Sequence, residues 1–216
     1  MSAPRTVSRL NIPAFARIRE NYTLILASSS PRRKGIFDNI GLPYSIVVSD
    51  FPENLDKASF ESPADYVVAT ASEKAKGVYK KLKETGEPGK KYFIVAADTV
   101  VTNENKILEK PEDKSKAVAM LQSLNGGRHS VYSGVSIIID DLDSDKEPQY
   151  HAFSDETGVE CYEFDTSILE SYAETGDPLD KAGAYGYQGQ GYFLPKAIHG
   201  DYYNIASINS FIPVCL

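Results

Sequence analysis

Tyr92-Phe93-Ile94-Val95-Ala96-Ala97-Asp98-Thr99-Val100-Val101 is an almost continuous apolar run broken by one acid and one hydroxyl. A run of this length and composition reads as a strand buried on both faces, which requires helices packed on each side of its sheet. Working outward, the neighbours supply them. Ser62-Pro63-Ala64-Asp65 offers a cap, a proline at the first helical position and an acid in the first turn, and predicts a helix to about Glu84. Tyr22 to Ser28 reads as a first strand. A helix follows at once, capped by Ser30, opened by Pro31 and stopped by Gly41, with Ile36, Phe37 and Ile40 as its apolar stripe. A second strand, about Tyr44 to Ser49, leads into the acidic segment Asp50 to Asp56.

On the other side, Asp113 caps a helix bearing Ala117, Met120, Leu121 and Leu124, ended by Gly126-Gly127. Strands are expected near His129 to Ile139 and Tyr150 to Phe164, separated by the acidic loop Asp140 to Pro148. A short helix covers about Ile168 to Thr175. A glycine-rich loop then precedes strands near Tyr192 to Ile198 and Tyr202 to Ile208. Helices alternate with strands early and strands run together later, which makes the chain α/β with a mixed sheet.

The chain has 216 residues, 42% of them hydrophobic, enough to bury a real core. It has no repeat and no low-complexity linker that would separate two independent domains. A net charge of -7 argues against a nucleic-acid polymer as partner, since such partners demand a broad basic face. A small anion held by a local basic cluster stays compatible. Cys161 and Cys215 lack metal-type spacing and read as reduced thiols of a cytoplasmic protein. No apolar run reaches the roughly 20 residues needed to cross a bilayer. Residues 1–21 read as an N-terminal extension, with Arg5, Arg9, Arg17 and Arg19 against the single acid Glu20. Pro13 interrupts any amphipathic targeting helix there. Residues 22–216 read as a single domain.

Three features break local rules. Arg32 and Arg33 open a helix at the end where its dipole disfavours cations. They could converge with Ser28 and Ser30 on a phosphate, or form a solvated pair neutralised by Asp38. Lys74 shares a helix face with Val67, Ala71 and Val78, so it must either snorkel or find an anion. Asp98 sits inside the apolar strand, where a carboxylate is costly without a partner. It could serve as a general base or metal ligand, or be a structural acceptor. Glu53 could complete such a site, although Asp50 and Asp56 lie near it in sequence. Lys110, after Glu109, could set an ammonium against a triphosphate. Gly183, Gly186, Gly189 and Gly191 form either a loop open to close ligand approach or a flexible connector, and the amide of Gln188 could read a base edge.

Other chemistries fail. No P-loop, zinc-helix spacing or G-x-S-x-G elbow occurs. Asp141, Asp143 and Asp145 imitate a calcium loop, but Ala152 stands where its last ligand belongs.

Over about residues 22 to 210, the segments Leu26-Ala27-Ser28 with Ser30-Pro31-Arg32-Arg33, Glu73-Lys74-Ala75, Ala97-Asp98-Thr99-Val100-Val101, Glu109-Lys110-Pro111 and Asp180 to Gly189 resemble the Maf family of nucleotide pyrophosphatases. The resemblance implies an elongated mixed sheet flanked by helices, with two lobes around a central cleft, usually as a homodimer. It implies cleavage of a nucleoside triphosphate to monophosphate and pyrophosphate with a divalent metal, Mg²⁺ or Mn²⁺. Asp98 matches the proton acceptor and Glu53 its acidic partner, the two nearest the metal, with Lys74 beside them. Ser28, Ser30, Arg33, Lys74 and Lys110 match phosphate-handling positions. Arg32, Thr99 and Gln188 resemble the branch acting on dTTP and UTP rather than that acting on 7-methyl-GTP. Gly35-Ile36-Phe37 departs from the commoner acid-leucine-leucine stretch. Two alternatives stand beside this reading: a catalytically silent nucleotide-binding regulator of cell division, and the same hydrolysis on a purine or modified nucleotide.

Overall fold

The computed structural model describes residues 12–87, 89–104, 106–141 and 147–205. In chain order the elements are α1 Pro13–Asn21, β1 Thr23–Leu26, α2 Pro31–Ile40, β2 Ser45–Ile46, α3 Pro63–Thr85, β3 Lys91–Asn103, β4 Lys106–Leu108, α4 Lys114–Leu124, β5 Arg128–Asp141, β6 Gln149–Cys161, α5 Thr166–Glu174, β7 Pro195–His199 and α6 Tyr202–Ile205, with short 3₁₀ turns between. The strands make one mixed sheet in the order β2-β1-β3-β5-β6-β7, with β4 paired to β3. β1 runs parallel to β2 and β3, and the later pairs are antiparallel.

β3 behaves as its sequence requires. Alternate side chains serve opposite faces. Phe93, Val95 and Ala97 pack with Phe15 and Ile18 of α1 and Phe37 of α2. Tyr92, Ile94 and Ala96 pack with Ala75, Val78 and Leu82 of α3. Farther along, Val101 enters a separate core with Leu121 of α4 and Leu169 and Tyr172 of α5. The first two cores, one on each face of the first half of β3, make one lobe, and the third makes the other. On the edge of β3 away from β5, β1 pairs as far as Val95 and β4 begins at Val101. Among the described residues, no strand covers that edge between them. Asp98 and Thr99 lie in this gap.

Several boundaries differ from expectation. Pro13 starts a helix instead of preventing one, since a first-turn proline forfeits no helical hydrogen bond. β2 is only two residues long, because β1, its sole partner among the described residues, is itself short. β6 ends at Cys161 rather than Phe164, whose N–H donates instead to Asn125 Oδ1. Gln190–Phe193 is a 3₁₀ turn, so the next strand begins at Pro195. The strand expected over Tyr202 to Ile208 is the helix α6 as far as Ile205; its remaining residues lie outside the described ones. Buried Asn204 explains this: its Nδ2 donates to Val131 O and Thr157 Oγ1, fixing the turn on β5 and β6. Most of the Asp140 to Pro148 loop also lies outside the described residues.

Candidate active site

The gap on β3 opens into a cleft of about 500 Å³. It is walled by the start of α2, the Glu53 loop, α3, Glu109-Lys110 and the segment from Asp180 to Gly186. Nine of the ten residues singled out from sequence line it: Ser28, Ser30, Arg32, Arg33, Glu53, Lys74, Asp98, Thr99 and Lys110.

Lys74 is buried on α3, and its Nζ lies 2.8 Å from Asp98 Oδ1 and 2.7 Å from Glu53 Oε2. It does not snorkel. Its ammonium bridges the buried carboxylate of β3 to a half-exposed one on the loop, which meets the cost of placing Asp98 inside a strand. Of the three loop acids, Glu53 is the one that contacts Lys74. Asp50 pairs with Lys81 and Asp56 caps a 3₁₀ turn through Ala58 N, leaving Glu53 to reach Lys74. Glu53 adopts φ 51, a conformation uncommon for a residue with a side chain.

On the opposite face of β3, Arg33 is buried. Its Nη1 donates to Ser28 Oγ at 3.2 Å and its Nη2 to Thr99 Oγ1 at 3.3 Å. Burial lowers its pKa from the ordinary arginine value, opposed by the nearby charge of Asp98. Asp38 does not neutralise the arginine pair, since it binds Lys34 and Tyr44. Arg32 faces Asp180 across the cleft at 3.8 Å. Ser30 holds the cap position but its side chain makes no cap bond; its hydroxyl is buried without a hydrogen-bond partner, and its backbone N–H donates to Ser28 Oγ. A buried hydroxyl beside a helix start and two guanidiniums is a set of donors suited to an anion. Lys110 stands exposed on the rim while its neighbour Glu109 pairs with Lys57 at 2.9 Å.

Gln188 is exposed in a turn and does not line the cleft. The glycines around it have a packing reason. A Cβ on Gly183 would meet Val101 at 2.9 Å, on Gly186 Lys181 at 2.6 Å, and on Gly191 the Tyr172 hydroxyl at 2.6 Å. The loop is wrapped on Lys181, which is itself held by Asp177 and Asp180. It is therefore a fitted segment rather than a flexible connector.

Ser133, Tyr185 and Lys181 were not assigned roles from sequence. Ser133 meets Thr99 only because β5 pairs with β3 in register, and Tyr185 lines the cleft with its hydroxyl 2.7 Å from buried His129 Nε2. A single sequence carries no signal for pairings that depend on strand register. Among the described residues no cluster of three or more His, Cys, Asp or Glu gathers as a metal cage. Glu53 and Asp98, both bonded to the Lys74 ammonium, are the hard oxygen donors that could hold a divalent ion completed by substrate phosphates.

Residues 23–209 match the family model described as Maf-like protein. The chain belongs to the Maf family. It is 42% identical over 185 residues to a human protein named probable bifunctional dTTP/UTP pyrophosphatase/methyltransferase, covering 84% of this chain but 29% of that protein. It is 38% identical over 185 residues to a dTTP/UTP pyrophosphatase of Bacillus thuringiensis subsp. konkukian, covering 86% of this Maf chain and 88% of the bacterial one. A solved dITP/XTP pyrophosphatase from Mycobacterium abscessus covers 81% of the chain at 13% identity, with 82% of its own length matched and a TM-score of 0.38.

Proposed function

We propose that this Maf protein hydrolyses nucleoside triphosphates, dTTP and UTP with their base-modified relatives, to the monophosphate and pyrophosphate. The observation that carries the reading is the ammonium of Lys74 held between Asp98 and Glu53, facing the Ser28–Arg33 donors across one cleft. Relatives named dTTP/UTP pyrophosphatase support the substrate class.

In this reading, Asp98 accepts a proton from water as its oxygen attacks the α-phosphorus, and the bond to the bridging α,β oxygen breaks to release pyrophosphate. Lys74 orients Asp98 and stabilises charge on the phosphate oxygens, while Arg33, Ser28, Ser30 and Lys110 hold the triphosphate. Glu53 and Asp98 would hold a divalent ion, Mg²⁺ or Mn²⁺, which when bound offsets charge on the phosphates. Arg32, Thr99 and Gln188 set nucleotide preference, with Gln188 reaching the base from the rim.

A homodimer is the proposed assembly, tested by light scattering for twice the 23.7 kDa chain mass. Buried, unpaired Cys161 accords with a cytoplasmic location. The intact Lys74–Asp98–Glu53 set argues against a silent regulator. The direct test is pyrophosphate release from a nucleotide panel with Mg²⁺ or Mn²⁺, then with chelator. Release is expected from dTTP and UTP, to be lost in Asp98→Asn and with chelator. Equal rates for wild type and Asp98→Asn would remove the proposal.

A further inference from the structure

Thr99 lies in a chain of hydrogen bonds whose direction can be worked out. Ser133 Oγ is 3.0 Å from the backbone oxygen of Asn204. A carbonyl cannot donate, so the Ser133 proton lies on that bond. Thr99 Oγ1 is 2.8 Å from Ser133 Oγ, and one proton must lie between the two oxygens. The proton of Ser133 is already committed, so Thr99 supplies it. Arg33 Nη2 then donates to a lone pair of Thr99. The order runs from guanidinium to Thr99, to Ser133, to the Asn204 carbonyl.

The far end of this chain is fixed. Ser133 is fully buried, as is Asn204, whose side chain is tied to β5 and β6. Thr99 is half-buried and lines the cleft. Its proton is spent and one lone pair is taken, which leaves a single lone pair to face a bound molecule.

We propose that Ser133 is a positioning residue that fixes Thr99 as a hydrogen-bond acceptor toward the substrate, so that the cleft selects a nucleotide presenting an N–H or O–H donor there. This rests on the reading that the cleft holds a nucleoside triphosphate. Two groups carry that chemistry, a sugar hydroxyl and the imide N–H of uracil or thymine. Cytosine presents a ring-nitrogen lone pair where the imide has its proton.

The test compares nucleotide pairs that differ in the donor. One pair is dTTP against 2′,3′-dideoxy-TTP, which removes a sugar hydroxyl. The other is dUTP against dCTP, which removes the imide N–H. Both kcat and KM are measured for wild type, Ser133→Ala, Ser133→Thr and Thr99→Val, and Kd is measured for the same pairs as α,β-imido analogues. Wild type should disfavour the donor-less member of at least one pair by about tenfold, the scale of one well-made hydrogen bond. The pair affected names the donor. Ser133→Thr, which retains the hydroxyl, should keep the ratio. Ser133→Ala frees the Thr99 proton, and this variant and Thr99→Val should narrow the ratio to within about threefold. Loss of stability alone cannot move a ratio between two nucleotides.

An unchanged ratio in Ser133→Ala overturns the proposal, as does a wild type indifferent to both pairs. Should Ser133→Ala fail to fold, Thr99→Val and Ser133→Thr decide between the same outcomes. A wild type that binds the imido analogues but hydrolyses no nucleotide defeats the pyrophosphatase reading, while the Kd ratios still decide the polarity of Thr99. A wild type that binds none of them overturns both.

Discussion

His129 is buried, and that burial lowers its pKa from 6.5 to about 4. In the unfolded chain the ring takes a proton as pH falls through 6.5, whereas the folded chain cannot until about 4. Its contribution to stability is therefore complete above 6.5 and is lost as pH falls toward 4, by about 3 kcal/mol in all. His129→Gln should flatten the acid limb of a denaturant-midpoint profile across that window; an unaltered limb would mean another group sets it. At Lys74 the proposed function adds an effect on catalysis to that on stability. Lys74→Met leaves buried Asp98 without its ammonium, which should cost about 3–5 kcal/mol of folding free energy. Pyrophosphate release should fall by about a hundredfold or more, read as kcat on the still-folded fraction. Asp98, Lys74 and Arg33 were legible in the sequence because each contradicts its surroundings: an acid in an apolar strand, a lysine on an apolar stripe, a cation at a helix start. Ser133 and Tyr185 contradict nothing locally, so only the folded chain gives them meaning. Gln188 lay in a readable motif, but its exposed place in a turn, outside the cleft lining, depends on how the loop packs.

At the scale of elements, the legible parts were those with independent local signals. The start of α3 has its Ser62 cap bond to Asp65 N, and Gly41 closes α2 in the left-handed conformation. The illegible parts were short pieces whose form comes from tertiary partners, as α6 shows: Tyr202 and Tyr203 favour a strand, yet Asn204 pins a helical turn. Gly134 is a case in which a strand depends on a helix. It sits on β5 opposite Asp98, and a Cβ there would fall 2.4 Å from the backbone of Val67 on α3. This contact brings α3 down onto the sheet, close enough for Lys74 to reach Asp98. Gly134→Ala must push the helix away, since backbone cannot yield as a side-chain tip does. Overpacking of this kind costs about 1–3 kcal/mol. The melting temperature should drop by several degrees, and activity should fall further than the lost stability explains. A variant with wild-type melting and full activity would show that α3 can shift without cost to the site.

For the molecule as a whole, the net charge of -7 and a cleft for a polyphosphate appear opposed. The cleft resolves this locally, because Arg32, Arg33, Lys74, Lys110 and Lys181 all line it. Most of these cations already face carboxylates: Glu53 and Asp98 at Lys74, and Asp180 near Arg32 and Lys181. A bound triphosphate must therefore bring its own countercharge or displace an internal one, which argues for entry together with a divalent ion. The cleft is also lined by both lobes, with Ala27 from the core on α3 and Val101, Val131 and Tyr185 from the core on α4 and α5, so a ligand spanning it stabilises both together. With Mg²⁺ and α,β-imido-dTTP at about 100 times its Kd, binding to the folded state alone contributes about 2.7 kcal/mol. For a chain of this size that corresponds to a rise in melting temperature of about 5–10 °C. Chelator should abolish most of the rise, and Arg33→Ala should reduce it by removing a cleft donor. Scanning calorimetry reads both the size of the shift and its shape. One transition moving as a unit supports a ligand held by both lobes, whereas a rise confined to one of two separated transitions would place the nucleotide on a single lobe.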